Sequence, residues 1–423
     1  MEAQAVAVMV PFLAQSHLNQ TLHLSCLLST YNIPVHYACS ATHVRQAKLR
    51  FNDMHRLNVA KVSFHELPTP PLLSPAPDSN SPAKFPSHLL PSFEASVHFR
   101  GPMATFLQEI SVTVRRVIVI HDALMRYAVQ DAATLSNVES YGFYPTCAFT
   151  SLMAGSSWVE GCYTFEVIKF FTIQYDQEDW SSGILINSSR AIEGAYIDLL
   201  ESLANKLQNS GKQHKCLEWL DKQTPKSVLY VSFGTTTSLR DEQIKEIALG
   251  LEESRQKFIW VLRDADESDI FSDNLRRALL PEGHEERIKE FGMVVSEWAP
   301  QLEILEHPST GGFLSHCGWN SCLESITIGV PMAVWPMHSD QPKNAFLVND
   351  ILKAGIVLDE WKPNKELVSS ITIAEAAKDL MASRKGEEIR KKEEELGCAT
   401  RQSSKEDGAS RIELDSFVAH IIK

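Results

Sequence analysis

The chain has 423 residues, 44% of them hydrophobic and 22% charged, which excludes a disordered or fibrous protein and leaves room for two or three domains. Its net charge of −13 divides into −2 over Met1–Cys216 (15 Lys+Arg against 17 Asp+Glu) and −11 over Leu217–Lys423 (25 against 36). That balance excludes nucleic acid, whose phosphates need clustered cations, but still admits a small anion held by backbone N–H groups at a helix N-terminus.

Reading from the first residue, the apolar run Ala3–Ala14 follows Glu2 rather than Lys or Arg, so no secretory signal is expected. No stretch reaches the ~20 apolar residues of a membrane helix, and stable membrane insertion is not expected. Ala5–Val10 reads as a buried strand, Pro11–Ser16 as a loop, Leu18–Leu28 as a helix and Val35–Ala38 as a second strand. Ser63–Pro91 carries eight of the 20 prolines and is expected to be a long loop without regular elements. Arg116–His121 is a β-branched run ending at Asp122, and such strand ends are where open α/β sheets place functional groups.

The second half alternates more regularly. Strands are expected at Ser227–Phe233, Lys257–Leu262, Gly292–Ser296, Gly312–Ser315, Met332–Trp335 and Ile356–Leu358. Helices are expected at Arg240–Glu253, Leu302–Glu306, from Trp319, Asn344–Lys353, Lys385–Glu395 and Ala409–Ile422. This alternation implies parallel sheets with right-handed crossovers: two doubly wound α/β domains, 1–215 and 216–423, parted in the polar stretch Asn205–Cys216. Eight Cys without a Cys-x-x-Cys pair, the nearest being Cys317 and Cys322, argue against a disulfide scaffold and a zinc ribbon, and free thiols in a reducing compartment, the cytoplasm, are expected. Met1–Arg100 holds no glycine, and neither Gly-x-Gly-x-x-Gly nor the P-loop occurs anywhere. A dinucleotide-dependent oxidoreductase is disfavoured for that reason, and any phosphate site belongs to the second half.

The densest constellation is Trp298–Gln341, 44 residues. Ser315–His316 ends a strand and Gly318–Ser321 opens a helix, so unpaired N–H groups and the positive end of the helix dipole suit a pyrophosphate there. Taken alone, Asn320 or Ser321 also reads as an ordinary helix cap. The whole segment, however, resembles the sugar-donor signature of plant UDP-dependent glycosyltransferases, an inverting family with two facing Rossmann-like domains and the site in the cleft between them. The resemblance implies that Trp298 stacks on uracil, that Ala299 (through its backbone) and Gln301 hold the base and its surroundings, and that Glu324 accepts from the ribose. It further implies that His316, Asn320 and Ser321 take the diphosphate and that Trp319, Asp340 and Gln341 contact the sugar, with Gln341 favouring glucose. Val231–Thr237 resembles the family's phosphate-closing turn, with Thr235 as the contact and Thr236 as the fallback.

In the first half the resemblance implies His17 as general base and Asp122 as the group that orients it. Ser16 stands where relatives carry Gly. His17–Gln20, Ala41–Ala47, Leu67–Pro71, Lys84–His88, Val119–Asp122 and Ser189–Gly194 are similar to zeatin O-glucosyltransferases and O-xylosyltransferases. The implied reaction is glucose transfer from UDP-glucose, as co-substrate, to a cytokinin side-chain hydroxyl, by a monomer without a metal, since no acidic cluster accompanies the donor segment. The resemblance also implies that the last helix, about 409–422, packs back on the first domain. Compared with relatives, the chain is expected to be shortened at Ala154–Glu160 and Asn205–Gln213, which raises the alternative of an impaired nucleotide-sugar-binding homologue.

Overall fold

The computed structural model describes residues 5–54, 62–71, 75–78, 80, 84–152, 162–175, 181–194, 215–263, 280–362 and 366–422. Residues 154–160 and 205–213, where the sequence reads as shortened, lie outside them, as does most of the expected boundary.

Two six-stranded sheets form, with every strand pair parallel. The first is ordered β3-β2-β1-β4-β5-β6, built from β1 (Ala5–Val10), β2 (Val35–Ser40), β3 (Val62–Leu67), β4 (Arg116–Asp122), β5 (Val138–Tyr144) and β6 (Gly183–Ile186). The second is ordered β12-β11-β10-β7-β8-β9, from β7 (Val228–Ser232), β8 (Lys257–Val261), β9 (Gly292–Val295), β10 (Thr310–Ser315), β11 (Met332–Val334) and β12 (Gly355–Val357). Counted within its own half, the second sheet runs 6-5-4-1-2-3, which is the first sheet's 3-2-1-4-5-6 read from the other edge. Both therefore reverse strand order at one place, β1/β4 in the first and β7/β10 in the second. The crevice beyond the carboxyl ends of such a pair is where doubly wound folds bind ligands.

The central strands are apolar on both faces because helices cover both sides. β1 is buried along its whole length, and Val117–Ile120 of β4 are fully inaccessible. The final helix, Ala409–Ile421, sends Leu414, Val418 and Ile421 into the core of the first sheet, and Phe417 sits edge-on to Tyr141 at 5.2 Å. Cys147, Phe149 and Ile192 of the first half join the core beneath the second sheet. Among the described residues no helix is long and apolar enough to cross a membrane.

Two expectations need correction. The proline-rich stretch is not free of regular elements: β3 occupies Val62–Leu67, ending just before the first proline, Pro68. At its other end a 3-10 turn at Ser87–Leu89 leads into a helix at Leu90–Ser96, with Pro91 in the first turn, where no N–H is needed. The helix expected over Asn344–Lys353 instead starts at Gln341, runs α-helical to Phe346 and continues as a π-turn, Leu347–Ile351.

Candidate active site between the two sheets

At the first switch point, β1 and β4 run side by side with Val10 opposite His121, so the loop after β1 meets the end of β4. The helix Gln15–Thr30 begins there, earlier than its apolar pattern indicates, and puts His17 in its first turn. His17 Nδ1 lies 2.6 Å from Asp122 Oδ2. An ionised carboxylate only accepts, so Nδ1 carries the proton and Nε2 of the neutral ring is left as a base. The Asp122 side chain is fully buried, and its Oδ1 takes the Leu124 N–H at 2.9 Å, which fixes the carboxylate plane. Phe12 holds the imidazole edge-on at 5.3 Å, while 22% of the His17 side chain stays open. Burial opposes charging of His17. The Asp122 charge and hydrogen bond, with a smaller contribution from Asp340 of the second half, outweigh it and hold the pKa above 6.5.

The second switch point is built differently. β10 ends at Ser315, beside Ser232 of β7. His316 follows, 6% exposed, and burial pulls its pKa down to about 4, so it is neutral at pH 7. Two glycines make room for its ring. A Cβ on Gly318 would come within 2.6 Å of Nε2, and one on Gly234, whose φ is +74°, would overlap the same atom. Gly318 then opens the helix Trp319–Ile328 with no side-chain cap, which leaves its first N–H groups directed at the crevice. Ser321 Oγ and Glu324 Oε2 both accept from Gln301 Nε2, at 2.9 and 2.8 Å. Burial raises Glu324 to about 7 despite that bond. Ala299 is buried, whereas Trp298 keeps 59% of its surface open beyond β9. In the loop after β7, Thr236 Oγ1 pairs with His338 Nε2 at 3.2 Å, and Thr235 beside it is half-buried.

Some residues singled out from the sequence carry structural duties as well. The Trp319 indole N–H donates to the Asn187 carbonyl across the halves at 2.6 Å, and Asn320 Oδ1 lies 3.4 Å from Asn187 Nδ2. Gln341, 3% exposed, uses Oε1 to accept from the N–H groups of Met337 and His338 at 2.8 and 3.0 Å. Asp340 Oδ2 accepts from Asn344 at 2.7 Å, and burial raises the Asp340 pKa. A cavity of about 90 Å3 opens beside this turn, between Phe85 and His88 of the first half and Thr237, Trp335 and Met337 of the second, away from Trp298. Sequence reasoning missed Asn187 and Asn344. Asn344 lies one helical turn beyond Asp340, a spacing that marks a partner for its carboxylate.

Family models match both halves: "Glycosyltransferase, N-terminal domain" over residues 3–215 and "UDP-glucoronosyl and UDP-glucosyl transferase" over residues 204–386. A zeatin O-glucosyltransferase of Phaseolus lunatus is 48% identical over 100% of this chain and 98% of its own length.

The chain belongs to the UDP-glycosyltransferase family. A zeatin O-xylosyltransferase of Phaseolus vulgaris is 47% identical over 99% of this chain and 98% of its own. The structure of Phytolacca americana UGT2 complexed with UDP-2fluoro-glucose and pterostilbene superposes with a TM-score of 0.80 at 26% identity, covering 99% of each chain. TcCGT1 in complex with UDP superposes with a TM-score of 0.78 at 27% identity, again over 99% of each. The two-sheet architecture is thus the GT-B fold of UDP-glycosyltransferases, and the oxidoreductase reading is closed.

Proposed function

We propose that this UDP-glycosyltransferase moves glucose from UDP-glucose to the side-chain hydroxyl of a zeatin-type cytokinin, with inversion at the anomeric carbon. The observation that carries the proposal is the His17–Asp122 pair at 2.6 Å at the first switch point, near enough to the second half for the Asp340 charge to act on His17. The 48% identity to a zeatin O-glucosyltransferase supports the acceptor class.

In this reading Nε2 of neutral His17 takes the hydroxyl proton as the acceptor oxygen bonds to the anomeric carbon. The bond from that carbon to the β-phosphate oxygen breaks and UDP departs with its electron pair. Asp122 holds the reactive tautomer and stabilises the imidazolium that forms. The leaving diphosphate is met by the Trp319–Ile328 helix N-terminus, by Ser321 and Asn320, and by neutral His316 as a hydrogen-bond donor; Thr235 closes over it. These groups supply the positive potential, so transfer is expected to proceed without a divalent cation. Trp298 stacks on uracil beside the Ala299 backbone and Gln301, Glu324 accepts from the ribose hydroxyls, and Trp319, Asp340 and Gln341 bound the sugar. Both halves of the site come from one chain, which is consistent with a working monomer. Among the described residues, which include all eight cysteines, no disulfide forms, in keeping with a cytoplasmic enzyme.

The test is a donor-by-acceptor matrix on purified protein read by mass spectrometry, pairing UDP-glucose and UDP-xylose with cis- and trans-zeatin and with unrelated phenols. Glucose on a zeatin hydroxyl is the expected product. Binding of UDP-glucose with no transfer to any acceptor would replace the proposal with a non-catalytic binding protein.

A further inference from the structure

Asn344 has no exposed surface and uses every hydrogen-bonding capacity of its amide. Nδ2 donates to the Cys317 carbonyl at 2.9 Å and to Asp340 Oδ2 at 2.7 Å, both in the second half. Oδ1 accepts from Thr150 Oγ1 at 2.9 Å and from Cys147 Sγ at 3.2 Å, both in the first half. The amide fits in this sense only, with its donors toward a carbonyl and a carboxylate and its acceptor toward a hydroxyl and a thiol.

The first-half side of this junction is itself anchored. Glu193, 1% exposed, takes the Ala148 N–H on Oε2 at 2.9 Å and the Phe149 N–H on Oε1 at 2.8 Å, and Ser188 Oγ donates to the same carboxylate at 2.5 Å. The start of the Ala148–Leu152 helix is thereby tied to the segment carrying Asn187, whose carbonyl holds the Trp319 indole. Phe149 stacks on Phe346, two residues beyond Asn344, at 6.0 Å and 17°.

We infer that Asn344 is a positioning residue through which the first half, by way of Cys147 and Thr150, sets the orientation of the Asp340 carboxylate. The inference rests on the proposed reaction, in which Asp340 bounds the sugar. It makes the approach of the two halves and the readiness of the sugar subsite a single event. UDP alone, held by second-half groups, does not require that event, whereas transfer does.

The experiment compares Cys147→Ala/Thr150→Val with Cys147→Ala/Thr150→Ser. The Val pair leaves Oδ1 of Asn344 buried without a donor, while the Ser pair restores a hydroxyl. The Val pair is expected to lose about tenfold to a hundredfold in kcat with UDP affinity by calorimetry within about twofold, and the Ser pair to stay within about threefold of the natural protein. Equal activity of the two pairs overturns the inference, and so does a fall in UDP affinity as large as the fall in kcat. Should the Val pair not fold, Thr150→Val alone keeps the Cys147 thiol and is expected to lose a smaller part of kcat; an unchanged kcat overturns the inference. Loss of transfer confined to the Val pair, with an active natural protein, supports it. An inactive natural protein overturns the reaction on which it rests.

Discussion

The two switch points share a topology and differ in chemistry, and a histidine at each makes the contrast sharp. His17 sits against a buried carboxylate and is held above its ordinary pKa; His316 sits between two glycines without such a neighbour and is pulled down to about 4. Burial acts on both in the same direction, so the partner alone decides the sign. One crevice is thus equipped to take up a proton, and the other keeps a neutral donor next to a helix mouth that suits an anion. The glycine distribution follows the same division. The first half begins with 100 residues lacking glycine, whereas the second half sets Gly234 and Gly318 against the His316 ring.

The largest expected effect breaks the first crevice alone. His17→Ala should lower kcat by about 10²–10⁴-fold, with UDP affinity by calorimetry unchanged within about twofold. Undiminished turnover would remove His17 as the base.

Asp122→Asn comes next, with a loss of about 10²-fold or more as the tautomer is no longer held. Its pH profile sharpens the comparison. The base must be neutral, so activity falls as pH drops through the His17 pKa, which the carboxylate holds above 6.5. Without that charge burial prevails, and the acid limb of kcat/KM should move to lower pH. A limb that stays in place would show that another group titrates.

Breaking the second crevice should act on the other quantity. Gly318→Ala or Gly234→Ala drives a Cβ into His316, and UDP affinity is expected to fall about tenfold. Affinity equal to that of the natural protein would refute the packing argument.

The smallest effect concerns Glu324, raised to about 7 by burial. Ribose recognition favours the carboxylate, so UDP affinity should climb a few-fold as pH rises through about 7, and Glu324→Gln should flatten that dependence. Equal slopes in the two proteins would take Glu324 out of the ribose site.

The strands of the second half were legible in the sequence from β7 through β12, because short β-branched runs alternate there with helices and are punctuated by Gly and Pro, but the helices His284–Ile288 and Ser370–Ala382 were not read from it. The first half was legible only at β1, β2, β4 and the helix after β1. The helix Ala41–Met54, the strands β5 and β6 and the edge strand β3 lacked a clear period, and tertiary packing set them. His17 and Asp122 are 105 positions apart. Their resemblance to a family motif named them, but only the β1–β4 register makes them neighbours.

What the sequence determined by itself is local: most strands of the second half, the strand end at Ser315–His316 with a helix opening after it, and the lack of glycine over the first 100 residues. These follow from side-chain pattern and backbone freedom within a few residues. What tertiary structure decided is every property that depends on a distant partner: the opposite pKa shifts of two histidines, the Trp319–Asn187 bond, and the four-way junction at Asn344. Burial and charge act through space, and a linear chain records neither until its two sheets face each other.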